Sequence, residues 1–177
     1  MKTLSKAIIF IILLVFAFQV AANAQGPKSD KNVCPGANGL TAAEVTDLLT
    51  AQNNARAEFK LTPLSWDCKL ADFAQAWATR GIFEHREGNQ YGENIFVASN
   101  TETPATAAVV MWMMERPFWN NKTAACQEGK ICDHYTQLVW KQTTQVGCGI
   151  NRKAPGKWKL LLVCNFSPQG NLPGAAY

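Results

Sequence analysis

The chain holds two histidines, His85 and His134, and each stands among side chains able to share its chemistry. His85 lies in the polar run Phe83-Glu84-His85-Arg86-Glu87-Gly88, and Glu93 follows in Tyr91-Gly92-Glu93-Asn94. His134 opens the run His134-Tyr135-Thr136-Gln137-Leu138-Val139-Trp140. An imidazole facing a carboxylate can move a proton near neutral pH or, as the neutral base, bind a divalent ion. Spacing alone does not separate those roles from that of a hydrogen-bonded structural histidine. Covalent catalysis has less to work with. No Gly-x-Ser-x-Gly turn occurs, and the cysteine count is even, which leaves no unpaired thiol nucleophile once all are bridged.

Those cysteines are Cys34, Cys68, Cys126, Cys132, Cys148 and Cys164. No Cys-x-x-Cys pair is present, so disulfides are expected rather than a zinc knuckle. Many pairings are open to six cysteines, but two are suggested locally. Cys126 and Cys132 can close a short loop, and Cys148 and Cys164 fall on two apolar runs that read as neighbouring strands. Cys34 with Cys68 remains, tying an N-terminal arm to the first helical layer.

An oxidising compartment agrees with the start of the chain. Lys2 and Lys6 precede an apolar run from Ile8 to Ala22 broken only by Gln19, and Ala22-Asn23-Ala24 has the small-x-small pattern of a cleavage site. Residues 1–24 are therefore expected to be a removed signal peptide, because the run is shorter than the ~20 apolar residues of a spanning helix. The product would be secreted (periplasmic in a Gram-negative host), with no membrane span, and a monomer. Of 17 basic and 13 acidic residues, Lys2 and Lys6 leave with the signal. The near balance that remains is no footprint for nucleic acid, and Arg152-Lys153 and Lys157-Trp158-Lys159 read as solvated turn charges.

Elements to position these residues can be read locally. Residues 25–39, rich in Gly, Pro, Lys and Asp, form a leader held by Cys34, and the domain proper spans 40–177. Thr41 and Glu44 make a capping box, with Leu40 and Val45 as its hydrophobic staple, for a helix running to about Arg56. Asp67 caps a second helix with an apolar stripe of Leu70, Phe73, Ala74, Trp77 and Ala78, ended by Gly81. Thr103-Pro104 should start a third through Ala107, Val110, Met111 and Met114, stopping before Pro117 because residue 116 is forced out of helical geometry. Val146 to Ile150 and Trp158 to Phe166 flank the turn-rich stretch 151–156 as an antiparallel hairpin. Helices on both sides of such a sheet give an α+β layered architecture.

Four runs, in order, resemble one known family: Gly92-Glu93-Asn94-Ile95, Trp112-Met113-Met114-Glu115, His134 through Trp140, and Cys164-Asn165-Phe166-Ser167-Pro168-Gln169-Gly170-Asn171. They are similar to the CAP superfamily of cysteine-rich secretory, antigen-five and pathogenesis-related class-one proteins, over about Leu40 to Asn171, and most of all to its plant pathogenesis-related and microbial single-domain members. The resemblance implies a three-layer α-β-α sandwich with a small central antiparallel sheet. It also implies a cleft tetrad of His85, Glu93, Glu115 and His134, able to hold a divalent cation, often zinc, through the histidines while the glutamates orient them. Two imidazoles make an incomplete zinc site, so weak, pH-dependent binding is expected. A metal-free hydrogen-bonded network is the alternative.

In similar proteins an aromatic loop between the last two tetrad members is implicated in binding sterols, and a gap between helices accepts fatty acids. Here that loop carries Phe118 and Trp119, expected either as a way in for lipid or as core beneath the loop. The function so implied is non-enzymatic binding of a sterol or fatty acid. The alternatives are a metal- or glutamate-dependent hydrolase or protease, and a defence or signalling protein acting through a partner surface. Three departures stand out. Gln52 replaces the histidine common in the first helix, no cysteine stands just before His85 where plant relatives usually carry one, and no cysteine-rich segment follows Asn171. Asn121-Lys122-Thr123 is an N-glycosylation acceptor in a eukaryotic host.

Overall fold

Thr41 begins the first helix as its side chain allows. It accepts from the Glu44 N–H at 3.2 Å while Glu44 accepts back from the Thr41 N–H at 2.8 Å, closing the capping box at the head of α1, Ala42–Ala57. The computed structural model describes Cys34 and residues 38–177; the expected signal peptide and most of the leader lie outside the described residues. Beyond α1 come β1 (Ser65–Trp66), α2 (Cys68–Ala78), β2 (Gly92–Ala98) and α3 (Ala107–Met113). A single 3-10 turn, Arg116–Phe118, leads to β3 (Trp119–Asn120) and β4 (Ala125–Cys126), then α4 (Asp133–Leu138), β5 (Gln145–Asn151) and β6 (Leu160–Ser167).

The main sheet runs in the order β1-β5-β6-β2. β6 pairs antiparallel with both β5 and β2, and only the two-residue β1 joins in parallel. Period-two alternation along β6 sorts its side chains between two cores. Leu160, Leu162, Cys164 and Phe166 face α1, α3 and α4, packing with Val45, Leu48, Trp112 and Tyr135. Leu161 and Val163 face the other way, with Ile95 and with Ala74 and Ala78 of α2. This is the three-layer sandwich. α2 can lie close to β5 because the strand offers no side chain at Gly149, where a Cβ would come within 2.4 Å of the Gln75 backbone. Asp67 caps α2 at the Leu70 N–H, 2.8 Å away.

Disulfides join Cys34–Cys68, Cys126–Cys132 and Cys148–Cys164. Cys148 and Cys164 are register partners across the β5–β6 pair.

Several elements differ from the sequence expectation. The third helix starts at Ala107, not at Thr103-Pro104. The Thr103 carbonyl is taken by the Arg152 guanidinium at 3.2 Å, and the Ala107 and Ala108 N–H groups make tight bonds three residues back instead. In consequence Ala108, Val109 and Trp112 point inward, while Val110, Met111 and Met114 are exposed. Pro117 does not simply stop the chain; it sits inside the 3-10 turn, whose start tolerates its missing N–H. β2 and the β3–β4 hairpin are strands the pattern did not signal.

Arg56, on α1, is completely buried. Its guanidinium donates to the carbonyls of Thr62 (3.0 Å), Leu138 (3.0 Å), Trp140 (2.9 Å) and Thr143 (2.8 Å). Burial lowers its pKa to about 10, so it is still a cation at neutral pH. Arg56→Met would leave four carbonyls, three of them buried, without this donor and is expected to lower stability by about 3–5 kcal/mol in urea denaturation. Arg56→Lys should recover only part of the loss, since an ammonium cannot reach the same fork of acceptors.

Candidate functional site

Glu93 stands second in β2, and its register partner is Asn165 of β6. Its carboxylate is almost fully buried, 4% exposed, and every partner is a donor or an imidazole. His85 Nδ1 lies 3.0 Å from Oε1, and the Arg86 N–H donates to the same oxygen at 3.1 Å. The Asn89 and Asn165 side-chain amides each donate to Oε2 at 3.2 Å. His85 itself is 63% exposed, so a buried acid holds an exposed base. The Glu93 hydrogen bond is the chief cause that raises the His85 pKa above the ordinary histidine value, with the Glu93 and Asp133 charges adding to it and burial opposing.

Glu115 follows α3 and leads into the 3-10 turn. Its Oε1 lies 2.6 Å from His134 Nδ1, and its Oε2 accepts from the Tyr135 N–H at 3.0 Å, one of the first-turn donors of α4 that has no partner within the helix. The Trp112 ring lies parallel to that of His134, 5° between planes and 6.4 Å between centroids. The Asn94 side chain, next to Glu93 in β2, donates to the His134 carbonyl at 2.9 Å. β2 and α4 are thereby held together.

The tetrad thus takes the form of two His–Glu dyads. Among the described residues, no three side chains of His, Cys, Asp or Glu gather closely enough to hold an ion. With each Nδ1 committed to a carboxylate, each ring presents Nε2. A ligating histidine whose other ring nitrogen is held by a carboxylate is the usual second-shell arrangement of metal sites, so the donor set fits a two-imidazole site and not a cage.

Phe118 and Trp119 are neither a free surface nor a buried core. Both are half-buried. The Lys130 ammonium lies 4.9 Å from the Phe118 ring centroid. Trp119 packs against the main core and helps line a cavity of about 330 Å³ with Trp140, Leu172 and Pro173. The gap between helices that the resemblance implied, to which the sequence assigned no residues, is also present. Between α1 and α3 lies an apolar groove of about 440 Å³, lined by Ala51, Ala55, Val109, Val110, Met113 and Met114. Val110 and Met114 are each 62% exposed there. Its signal was present in Ala51 and Ala55, small residues one helical turn apart that leave room on the α1 surface.

The profile of the CAP (cysteine-rich secretory protein) family matches residues 49–166. Among curated relatives, pathogenesis-related protein PRMS of Zea mays is 36% identical over 92% of this chain and 93% of its own length. Pathogenesis-related protein PR-1 of Medicago truncatula is 36% identical over 94% and 92%. Pathogenesis-related leaf protein 4 of Solanum lycopersicum is 39% identical over 72% and 79%. Among solved structures, BmVAL-1 superposes with a TM-score of 0.69 at 25% identity, covering 82% of this chain and 86% of that one. NaASP2, crystallised with Zn2+, gives 0.66 at 24%, covering 81% and 88%.

Because Glu93 favours the imidazolium, His85 should titrate above the ordinary histidine value, staying charged at low pH and losing its proton as pH rises through the raised pKa. In an NMR titration of the metal-free protein, Glu93→Gln should move that midpoint downward. An unchanged midpoint in the variant would show that the 3.0 Å contact does not govern His85.

Proposed function

This chain belongs to the cysteine-rich secretory protein (CAP) family, and we propose that it is a secreted, defence-related protein that binds a fatty acid or sterol. The groove between α1 and α3 carries this reading. Its walls are mostly apolar, with Asn54, Glu58 and Thr106 among them, and two of its larger side chains, Val110 and Met114, stand mostly in solvent although burying such a side chain is worth about 1.5–3 kcal/mol. An alkyl chain lying along Ala51 and Ala55 would cover both. A defence role is supported by the pathogenesis-related relatives, at 36–39% identity. Secretion is supported by the three disulfides and by the leader pattern.

Apart from the groove, His85 and His134 are the residues that would hold a divalent ion, zinc foremost. Glu93 and Glu115 fix the ring orientations and balance the charge. When bound, such an ion supplies Lewis acidity. Only two imidazoles are offered, so the affinity is weak and falls as the imidazoles protonate. The same dyads support a second reading, a hydrolase in which an imidazole held by Glu93 or Glu115 takes a proton from water.

Fatty-acid and sterol titrations of the wild type against Val110→Asp/Met114→Asp test the first reading. Both positions are exposed, so the fold is expected to persist while fatty-acid affinity drops tenfold or more. Equal affinity in the two proteins would remove the groove as the site. Trp119→Ser is a poor substitute, because truncating an aromatic packed on the core is expected to lower stability as well. For the ion, zinc calorimetry should give a weak signal that vanishes in His85→Ala/His134→Ala; persistence in that variant would place zinc elsewhere. A substrate turnover abolished by Glu93→Gln/Glu115→Gln, with no lipid bound by the wild type, would decide for the hydrolase.

A further inference from the structure

The tip of the β3–β4 hairpin carries Asn121-Lys122-Thr123, the acceptor pattern for N-linked glycans. Loop tips accommodate bulky modification at little cost to a fold. Asn121, however, is half-buried and its amide is engaged at both oxygen and nitrogen. Its Oδ1 accepts from the backbone N–H of Ala176 (3.0 Å) and of Tyr177 (3.3 Å), and from the Trp119 indole (3.2 Å). Its Nδ2 donates to the Tyr177 carbonyl. The rest of the tail is fixed too. Ala176 is fully buried, and its carbonyl accepts from the Lys141 N–H at 2.7 Å. The Tyr177 ring lies 4.3 Å from that of Phe59, and its hydroxyl accepts from Tyr135 at 3.1 Å.

A carboxamide that binds both the N–H and the C=O of one residue does so with the amide hydrogen lying on the same side as its own oxygen. In a trans glycosylamide that hydrogen is the one the sugar's anomeric carbon replaces. The first sugar would therefore stand where the Tyr177 carbonyl now sits. We propose that Asn121 is an N-glycan acceptor only while Ala176 and Tyr177 are undocked, so that glycan attachment and tail docking exclude each other. The co-reactant is an oligosaccharide carried on a lipid diphosphate. Its anomeric carbon–oxygen bond to phosphate breaks, the anomeric carbon–Nδ2 bond forms, an Nδ2 proton passes to a base of the transferase, and the lipid diphosphate leaves. In the glycosylated form Tyr135 and Phe59 lose their cover, and the Tyr135 N–H is one of the donors that hold Glu115.

The test uses the full chain, expressed with its own leader in a eukaryotic secretory host, and rests on the secretory route proposed above. Occupancy of Asn121 is read by glycopeptide mass spectrometry in the wild type, in a deletion of residues 176–177, and in Ala176→Asp. Thr123→Val serves as the blank, and Leu48→Ala controls for general loosening of the core. Only secreted molecules with three intact disulfides are counted. Occupancy is expected to be low in the wild type and several-fold higher in both tail variants. The Ala176 and Tyr177 amides should exchange their hydrogens at least tenfold faster in the glycosylated fraction than in the unglycosylated one. The proposal is overturned by tail variants that carry no more glycan than the wild type, or by a glycosylated fraction whose Tyr177 is equally protected. An equal rise in Leu48→Ala overturns it as well. Failure of secretion in every variant would instead speak against the secretory route.

Discussion

One buried cation organises the helical side of this fold. Arg56 has no carboxylate among its hydrogen-bond partners; four backbone carbonyls satisfy it, one from the last residue of α4 and two from the segment that follows. A guanidinium suits this task because its donors diverge in a rigid fork, and charge-assisted bonds to carbonyls hold better than neutral ones. The effect is to fasten the middle of the chain to the last turn of α1. Once residues 138–143 are fixed, α4 is fixed, and with it His134 at its start.

From α4 the constraint passes to the sheet by close contact rather than by charge. Gln137, nearly fully buried, takes the Gly170 N–H at 2.8 Å. A Cβ at Gly92 would come within 1.9 Å of the same Gln137 oxygen, so β2 can approach α4 only because its first residue has no side chain. Glu93 is the next residue. Asn94 then ties the strand to the His134 carbonyl. The two dyads share no hydrogen bond with each other, yet their relative position is set by a backbone framework that runs from Arg56 through α4 into β2. Glu93 and His134 thus stand on rigid elements, which hold a site better than loops do, whereas His85 lies in the irregular segment between α2 and β2.

What the sequence revealed follows the range of the interactions. The capping box at Thr41 and Glu44, the Asp67 cap and the β5–β6 hairpin depend on residues a few positions apart, and all three were legible. The start of α3 was not, because Arg152, far along the chain, claims the Thr103 carbonyl. β2 escaped notice because Ile95 and Val97 pack toward α2 while Phe96 and Ala98 pack toward the opposite core, which erases the alternation that marks a half-exposed strand. The dyads lie between these cases. Glu93 follows His85 closely enough to suggest a partnership. Glu115 and His134 are joined across a disulfide loop, and only family resemblance connected them before the structure did.

The way Glu93 is used also limits what the dyads can recognise. An ionised carboxylate offers about four lone-pair positions, and here four groups meet it: His85, the Arg86 N–H, Asn89 and Asn165. Glu115 is likewise engaged at both oxygens. An ion drawn to either dyad by this negative charge would therefore find the oxygens occupied and the outward ring nitrogens free. Hard cations such as Ca2+ and Mg2+ need several oxygen ligands, whereas imidazole suits borderline ions. On the proposed reading, the preference for zinc over calcium comes less from the histidines themselves than from how completely the fold has used the two glutamates. Relieving Glu93 of its amide donors, for instance at Asn89 or Asn165, would free an oxygen and weaken that discrimination even with both histidines untouched.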